Sequence, residues 1–180
     1  MRAFLAIDLP DPVTDALVDL QETLPLDCQI QADSFHLTLA FLGEQPETMI
    51  EDIHDALCEV NTPKVELEFA GLDTFGRPSP RVLFVDVAKN TALERLHHKI
   101  RGATRDAGLQ LARERFHPHV SLARFRSSMP RPDLERLRIF LLQHASFRLE
   151  PFKVEGFSLY RSILQRNGAI HEKLADYPLN

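Results

Sequence analysis

Hydrophobic and polar positions alternate along this chain with two periods that take turns. Period-2 alternation over RAFLAID predicts a first strand, and a period near 3.6 from roughly Pro12 to Glu22 predicts a helix. The strand HLTLAFLG follows, then a helix after Pro46 striped by Met49, Ile50, Ile53, Leu57 and Val60, then a strand near VELEFAGL. The order then repeats. RVLFVDV reads as a strand, Leu93, Leu96, Ile100, Ala103 and Ala107 stripe a helix that Gly108 is placed to cap, and HVSLARF reads as the next strand. A helix follows Pro132, and SFRLEPFKV and GFSLYRSIL close the chain as strands.

A strand, helix, strand, helix, strand unit used twice predicts an α+β fold of two lobes related by a pseudo-twofold axis. The halves run roughly over 1–75 and 81–180 of a single domain covering 1–180, with GRPSPR (76–81) as the crossing between them. Connections this short cannot make every neighbouring strand parallel, so the fold class expected is two mainly antiparallel sheets flanked by helices around a central cleft. Length and composition agree: 180 residues, 44% hydrophobic and 26% charged, suit one compact globular unit. No run approaches the roughly 18 apolar residues of a membrane span, and Asp8 interrupts the N-terminal apolar run, which therefore reads as a strand rather than a signal peptide. Cys28 and Cys58 form no metal or redox motif and are too few for a disulfide scaffold, so a reducing cytoplasm is the default expectation; a monomer is expected separately.

Charge changes this picture once it is divided along the chain. The whole carries −5, but residues 1–75 carry −14 and residues 76–180 carry +9. An acidic half repels a long polyanion, so a phosphate ligand would be gripped by the second half over a short footprint. The other reading is two solvated faces of opposite sign.

Two of the strands repeat more than their period. HLTLAF begins at His36 and HVSLARF at His119, and both read His, apolar, Thr or Ser, Leu, Ala. Residues i and i+2 share a strand face, so His36 projects with Thr38 and His119 with Ser121, while Leu37, Leu39, Val120 and Leu122 supply core. His144 and Ser146 fit the shorter pattern, but they lack the Leu-Ala extension and follow a predicted helix, where an imidazolium meets the helix C-terminus favourably. Paired histidines with hydroxyls suit in-line displacement at phosphorus, in which one group accepts a proton while another on the opposite side donates one. Histidine is the side chain whose two protonation states coexist near neutrality. Thr38 and Ser121 can donate to non-bridging oxygens or hold the imidazoles in orientation. Such chemistry calls for no metal and no cofactor.

The two motifs, their spacing, and the segments MRAFLAIDLP, PRVLFVDV, FHPHVSLARF and LYRSILQRNG resemble the two-histidine phosphoesterase superfamily. Within it the resemblance is to the RNA 2',3'-cyclic phosphodiesterases also described as 2'-5' RNA ligases. It implies a bilobal fold and hydrolysis of an RNA 2',3'-cyclic phosphate end to a 2'-phosphomonoester, with the same site able in reverse to form a 2'-5' linkage. It further implies that His36 is the proton donor to the leaving 3' oxygen, His119 the proton acceptor that activates water, and Thr38 and Ser121 phosphate-contacting hydroxyls. Phe41 and Arg124, five residues after the histidines, are implied as base-side and phosphate-side contacts; strict alternation puts both on the wrong face, so a bulge or strand end must re-aim them, and Phe41 otherwise reads as plain core. Two positions depart from the family pattern. Ser121 stands where Thr is usual, and NGAIHEKL places Ile170 and His171 where an aromatic residue is usual.

The remaining candidates divide between roles. His117 either supports His119, lines the cleft or sits idle on the rim, and the His-x-His pair lacks further ligands at metal spacing. His54, His97 and His98 lie at amphipathic helix boundaries and are expected to be exposed. The arginines from Arg113 to Arg138 form either a solvated rim or a phosphate path, with Arg126 and Arg131 the candidates for RNA beyond its terminal nucleotide. Two other functions compete: a phosphodiesterase for small cyclic nucleotides or ADP-ribose cyclic phosphate, and an RNA-end binding module without turnover. The latter has no need of an acid and a base.

Overall fold

The structure, a computed structural model, describes residues 1–27, 35–76, 78–113, 115–125, 129–165 and 168–180. Cys28 and Arg126 therefore lie outside the described residues. In chain order the elements are β1 (Arg2–Asp8), α1 (Asp11–Glu22), β2 (His36–Glu44), α2 (Glu47–Cys58), β3 (Val65–Leu67), β4 (Phe69–Phe75), β5 (Val82–Val87), α3 (Thr91–Asp106), β6 (His119–Arg124), α4 (Arg131–Gln143), β7 (Phe152–Val154), β8 (Gly156–Gln165) and β9 (Gly168–Pro178).

Local chemistry accounts for the helix boundaries. Pro10, Pro46 and Pro130 stand in extended backbone as the residues that enter α1, α2 and α4, since a ring that fixes φ and lacks an N–H suits a helix start. At α3 the entry residue is Asn90, whose side chain accepts from the Leu93 amide at 3.0 Å. Its exit is a Schellman turn. Gly108 takes φ +98°, its amide donates to Arg105 O at 2.9 Å, and the Leu109 amide donates to Thr104 O at 2.8 Å.

Seven strands form one antiparallel sheet in the order β4-β5-β6-β2-β1-β8-β9, and β3 pairs with β7 in a small second sheet. The expected α+β class with antiparallel sheets is what the structure contains. The two sequence halves exchange strands: β4 pairs with β5, whereas β8 and β9 extend the sheet beyond β1. GRPSPR is the connection of the β4-β5 hairpin, and Gly76 there takes φ +101°. VELEFAGL divides at Glu68 into β3 and β4, SFRLEPFKV keeps only its last three residues as a strand, and β9 is a strand where none was expected.

One buried face of the large sheet packs under the helices. Leu5, Ile7, Leu37, Leu83, Val85, Val120 and Leu122 are fully buried with Leu17, Ile53, Leu96 and Ile100 of the helices. Burying each such side chain contributes about 1.5–3 kcal/mol; the other sheet face carries Phe4, Ala6 and Phe84, also buried, together with polar groups. Among the described residues no helix is long and apolar enough to cross a membrane.

Candidate active site

The seam between β2 and β6 is a single residue pair, Leu37 opposite Val120. These residues directly follow the two motif histidines. An antiparallel register through that pair sets His36 across from Ser121 and Thr38 across from His119, all four on the face away from the core. His36, Thr38, His119 and Ser121 are each half-buried there, so the structure brings the predicted quartet to one place.

Both strands then carry the same irregularity. Opposite β1, Ala6 pairs with Thr38 but Leu5 with Ala40, so Leu39 is an extra residue. Opposite β5, Phe84 pairs with Ser121 but Leu83 with Ala123, so Leu122 is an extra residue. Each bulge falls three residues after its histidine and reverses the facing of the residues beyond it. Phe41 consequently lies opposite Phe4, and Arg124 opposite Val82, both on the histidine side of the sheet. Phe41 is 64% exposed, which a core residue would not be. The side-chain amide of Gln21 on α1 donates to the Leu122 carbonyl at 2.5 Å, securing the second bulge from behind.

His119 sits in a tightly specified setting. Its Nδ1 lies 2.7 Å from the carbonyl oxygen of His117; a carbonyl only accepts, so Nδ1 carries the proton and Nε2 of the neutral ring offers its lone pair. Burial holds its pKa below the ordinary 6.5, against the opposing effect of that hydrogen bond. Phe75 and Phe84, stacked at 4.1 Å, meet the His119 ring at 4.8 and 5.2 Å and the His117 ring at 5.3 and 5.4 Å. His117 in turn donates from Nε2 to Asp86 Oδ1 at 3.1 Å.

Around His36 the layout is related. Phe4 of β1 touches His36 at 4.9 Å and stacks on Tyr160 of β8 at 5.2 Å, as Phe84 touches His119 and stacks on Phe75. His171 of β9 stands edge-on to both Phe4 and His36, at 4.9 and 5.4 Å. Asp8 is the strand partner of His36, as Asp86 is of His119. Asp8 accepts from the Tyr160 hydroxyl and, at 2.7 Å, from Lys173 Nζ; the Ser158 hydroxyl lies 3.1 Å from it and 2.7 Å from Asp176 Oδ1. Burial first, and the Asp8 carboxylate second, push the Tyr160 hydroxyl up to about 12.

Sequence reasoning missed Asp8, Asp86, Tyr160 and Lys173 as site residues, and had His171 only as a departure from the family pattern. The signal available for two of them was position, since Asp8 and Asp86 each lie at the end of a strand of the repeated unit. His54 and His97, expected to be exposed, are half-buried instead: His54 Nδ1 is 2.8 Å from the Tyr177 hydroxyl, and His97 stacks on Phe116 at 3.9 Å with an interplanar angle of 7°. His98 is exposed, and His144 closes α4. Arg131 opens α4 on the surface, where Arg136 and Arg138 pair with Asp133 and Glu135. No group of three or more His, Cys, Asp or Glu suited to a metal ion occurs among the described residues.

Comparison with known proteins places the chain and its fold in one family. Residues 9–165 match the model of the 2'-5' RNA ligase superfamily. A protein of Aeropyrum pernix described as an RNA 2',3'-cyclic phosphodiesterase is 31% identical over 147 residues, covering 81% of this chain and 82% of its own. One from Thermus thermophilus with the same description is 31% identical over 192 residues, covering 99% and 90%. Among solved structures, TT0787 of Thermus thermophilus superposes with a TM-score of 0.80 at 26% identity, covering 99% of this chain and 97% of that one. E. coli LigT superposes with a TM-score of 0.77 at 24% identity over 99% and 96%. This chain belongs to the 2'-5' RNA ligase superfamily.

Proposed function

We propose that the protein hydrolyses RNA 2',3'-cyclic phosphate ends to 2'-phosphomonoesters, with His119 as general base and His36 as general acid. The observation that carries the reading is the convergence of both histidines and both hydroxyls on one sheet face, either side of the Leu37–Val120 pair. Support also comes from the description of the A. pernix and T. thermophilus relatives as RNA 2',3'-cyclic phosphodiesterases.

In this mechanism Nε2 of His119 takes a proton from water, whose oxygen forms the new bond to phosphorus. The bond from phosphorus to the 3' oxygen breaks on the opposite side, and His36 delivers a proton to that oxygen. The phosphate stays on the 2' oxygen. Thr38 and Ser121 donate to the non-bridging oxygens, where charge builds in the transition state. Arg124 adds a guanidinium on the phosphate side, and Phe41 offers an exposed ring to the base. A 5'-hydroxyl in place of water gives a 2'-5' linkage by the same proton transfers.

The test is an oligonucleotide ending in 2',3'-cyclic phosphate, incubated with the protein in EDTA, with the product phosphate located on the 2' or 3' oxygen. A 2'-phosphomonoester is expected, and His36→Ala and His119→Ala should each slow its formation by about 10²–10⁴-fold. Absence of conversion, or conversion surviving both substitutions, overturns the reading. A cyclic mononucleotide run in parallel separates an RNA end from a small cyclic nucleotide as the preferred substrate.

A further inference from the structure

Asp86 is the strand partner of His119 across β5 and β6, yet its carboxylate engages His117 instead. His117 Nε2 donates to Asp86 Oδ1 at 3.1 Å, and the His117 carbonyl accepts from His119 Nδ1 at 2.7 Å. A continuous chain of contacts thus runs from a carboxylate, through one histidine's side chain and then its backbone, to the ring of another. We propose that Asp86 and His117 act together as the positioning unit of His119, fixing its tautomer and ring orientation.

The segment between them leaves little freedom for any other arrangement. Pro118 fixes its own φ and confines His117 to extended backbone. The Val87 amide lies 3.3 Å from the Pro118 carbonyl and 3.0 Å from Asp86 Oδ1, so one donor ties the peptide and the carboxylate together. Phe75 and Phe84 meet both imidazoles, so the two rings rest on one aromatic wall. With the His117 ring tied at one end and Pro118 at the other, the His117 carbonyl is held towards His119.

Stability does not explain the pair. The His117 and Asp86 side chains are 45% and 37% exposed, and a polar pair that open to solvent adds little to folding. Chemistry explains it better. When His119 accepts a proton it becomes an imidazolium, and the titratable and charged groups acting on it are Asp86 from β5, His117 beside it and Arg124 from the end of β6. Of these only Asp86 favours the new charge. Asp86 therefore serves as both anchor and counter-charge, acting on His119 through His117.

The proposal rests on His119 being the base, and the experiment separates the two ideas. Asp86→Asn, His117→Ala and His119→Ala are compared with the unaltered protein on the cyclic-phosphate oligonucleotide from pH 4.5 to 9, with kcat and KM resolved. The His119 Nδ1 proton is followed by NMR. Asp86→Asn is expected to lower kcat on the order of tenfold, the scale set by partners that orient a functional histidine, with KM unchanged. It should also move the acid limb to lower pH, because a counter-charge has gone, and weaken protection of the Nδ1 proton. Asp86→Glu should restore part of kcat. Should Asp86→Asn fail to fold, His117→Ala carries the kcat and proton-protection readouts. A normal kcat, pH profile and Nδ1 signal in Asp86→Asn and His117→Ala, with His119→Ala inactive, overturns the positioning unit alone. An active His119→Ala overturns the base reading and the proposal with it.

Discussion

His171 meets His36 edge-on, with ring centroids 5.4 Å apart and planes at 89°, and both rings also contact Phe4. A ring from the far edge of the sheet therefore helps to set the position of the motif histidine. An aromatic contact of this kind is worth about 0.5–1.5 kcal/mol, so His171→Ala is expected to lower kcat/KM about three- to tenfold. His171→Phe keeps the ring and should retain most of the activity. If the phenylalanine variant is as impaired as the alanine variant, the imidazole nitrogens rather than the ring shape are what matter.

With His119 as the proposed base, the pH dependence of the rate follows from the surroundings of that ring. A base must be unprotonated to work, so kcat/KM rises with pH through the pKa of His119. Burial holds that value below the ordinary 6.5. The midpoint of the acid limb is therefore expected below 6.5 in steady-state profiles. A midpoint above 7 contradicts the assignment of His119 as the base.

His97 makes an independent prediction about stability. Burial, followed by the positive charges of Arg101 and His98, pushes its pKa down to about 4 from 6.5. Because the folded value is the lower one, the unfolded chain binds this proton first on acidification. The contribution to stability is complete above pH 6.5 and is lost progressively as pH falls towards 4. His97→Phe, which can still stack on Phe116, should flatten the fall of Tm over that interval; an unchanged Tm profile rules His97 out as its source.

Phe41 and Arg124 should separate binding from folding. Both side chains are exposed on the histidine side of the sheet, so their removal is expected to change stability by no more than about 0.5 kcal/mol. Phe41→Ala and Arg124→Ala should instead raise KM for the oligonucleotide, and Arg124 should affect an abasic cyclic phosphate while Phe41 does not. Equal losses on the abasic substrate would deny Phe41 a role with the base.

Gly156 is the position where the β8-β9 register is most exposed to damage. A Cβ there would lie 2.6 Å from the Tyr177 carbonyl oxygen, closer than packing allows. Gly156→Ala is expected to cost about 1–3 kcal/mol, read as a lower Tm. Activity should fall with it, since β9 carries His171 and Lys173 into the site. An alanine variant with native Tm would mean that β9 shifts without consequence.

Much of this arrangement was legible because burial imposes it on composition. β1 and β5 announce themselves as apolar runs, β2, β6 and the described helices through apolar stripes, and the duplicated His-x-Thr/Ser motif stands out against that background. β9 was not legible for the opposite reason. It is an edge strand in which His171, Lys173 and Asp176 sit among Ile170, Leu174 and Ala175, so neither face reads as apolar. The bulges were inferred as a need but could not be located, because Leu39 and Leu122 are as apolar as the leucines of a regular strand. His97 depends on Phe116, a partner that periodicity within one helix cannot reveal.

The two bulges also bear on how a duplicated frame comes to handle an unsymmetrical molecule. Each strand offers an equivalent socket two residues past its extra leucine, and the chain fills one with a flat hydrocarbon ring and the other with a permanent cation. A nucleotide has a flat end and a charged end. Repetition supplies matched histidine and hydroxyl positions, while the proposed base-side and phosphate-side roles of the two sockets would give the frame a direction, and a ligand matched to both would lie in it one way round.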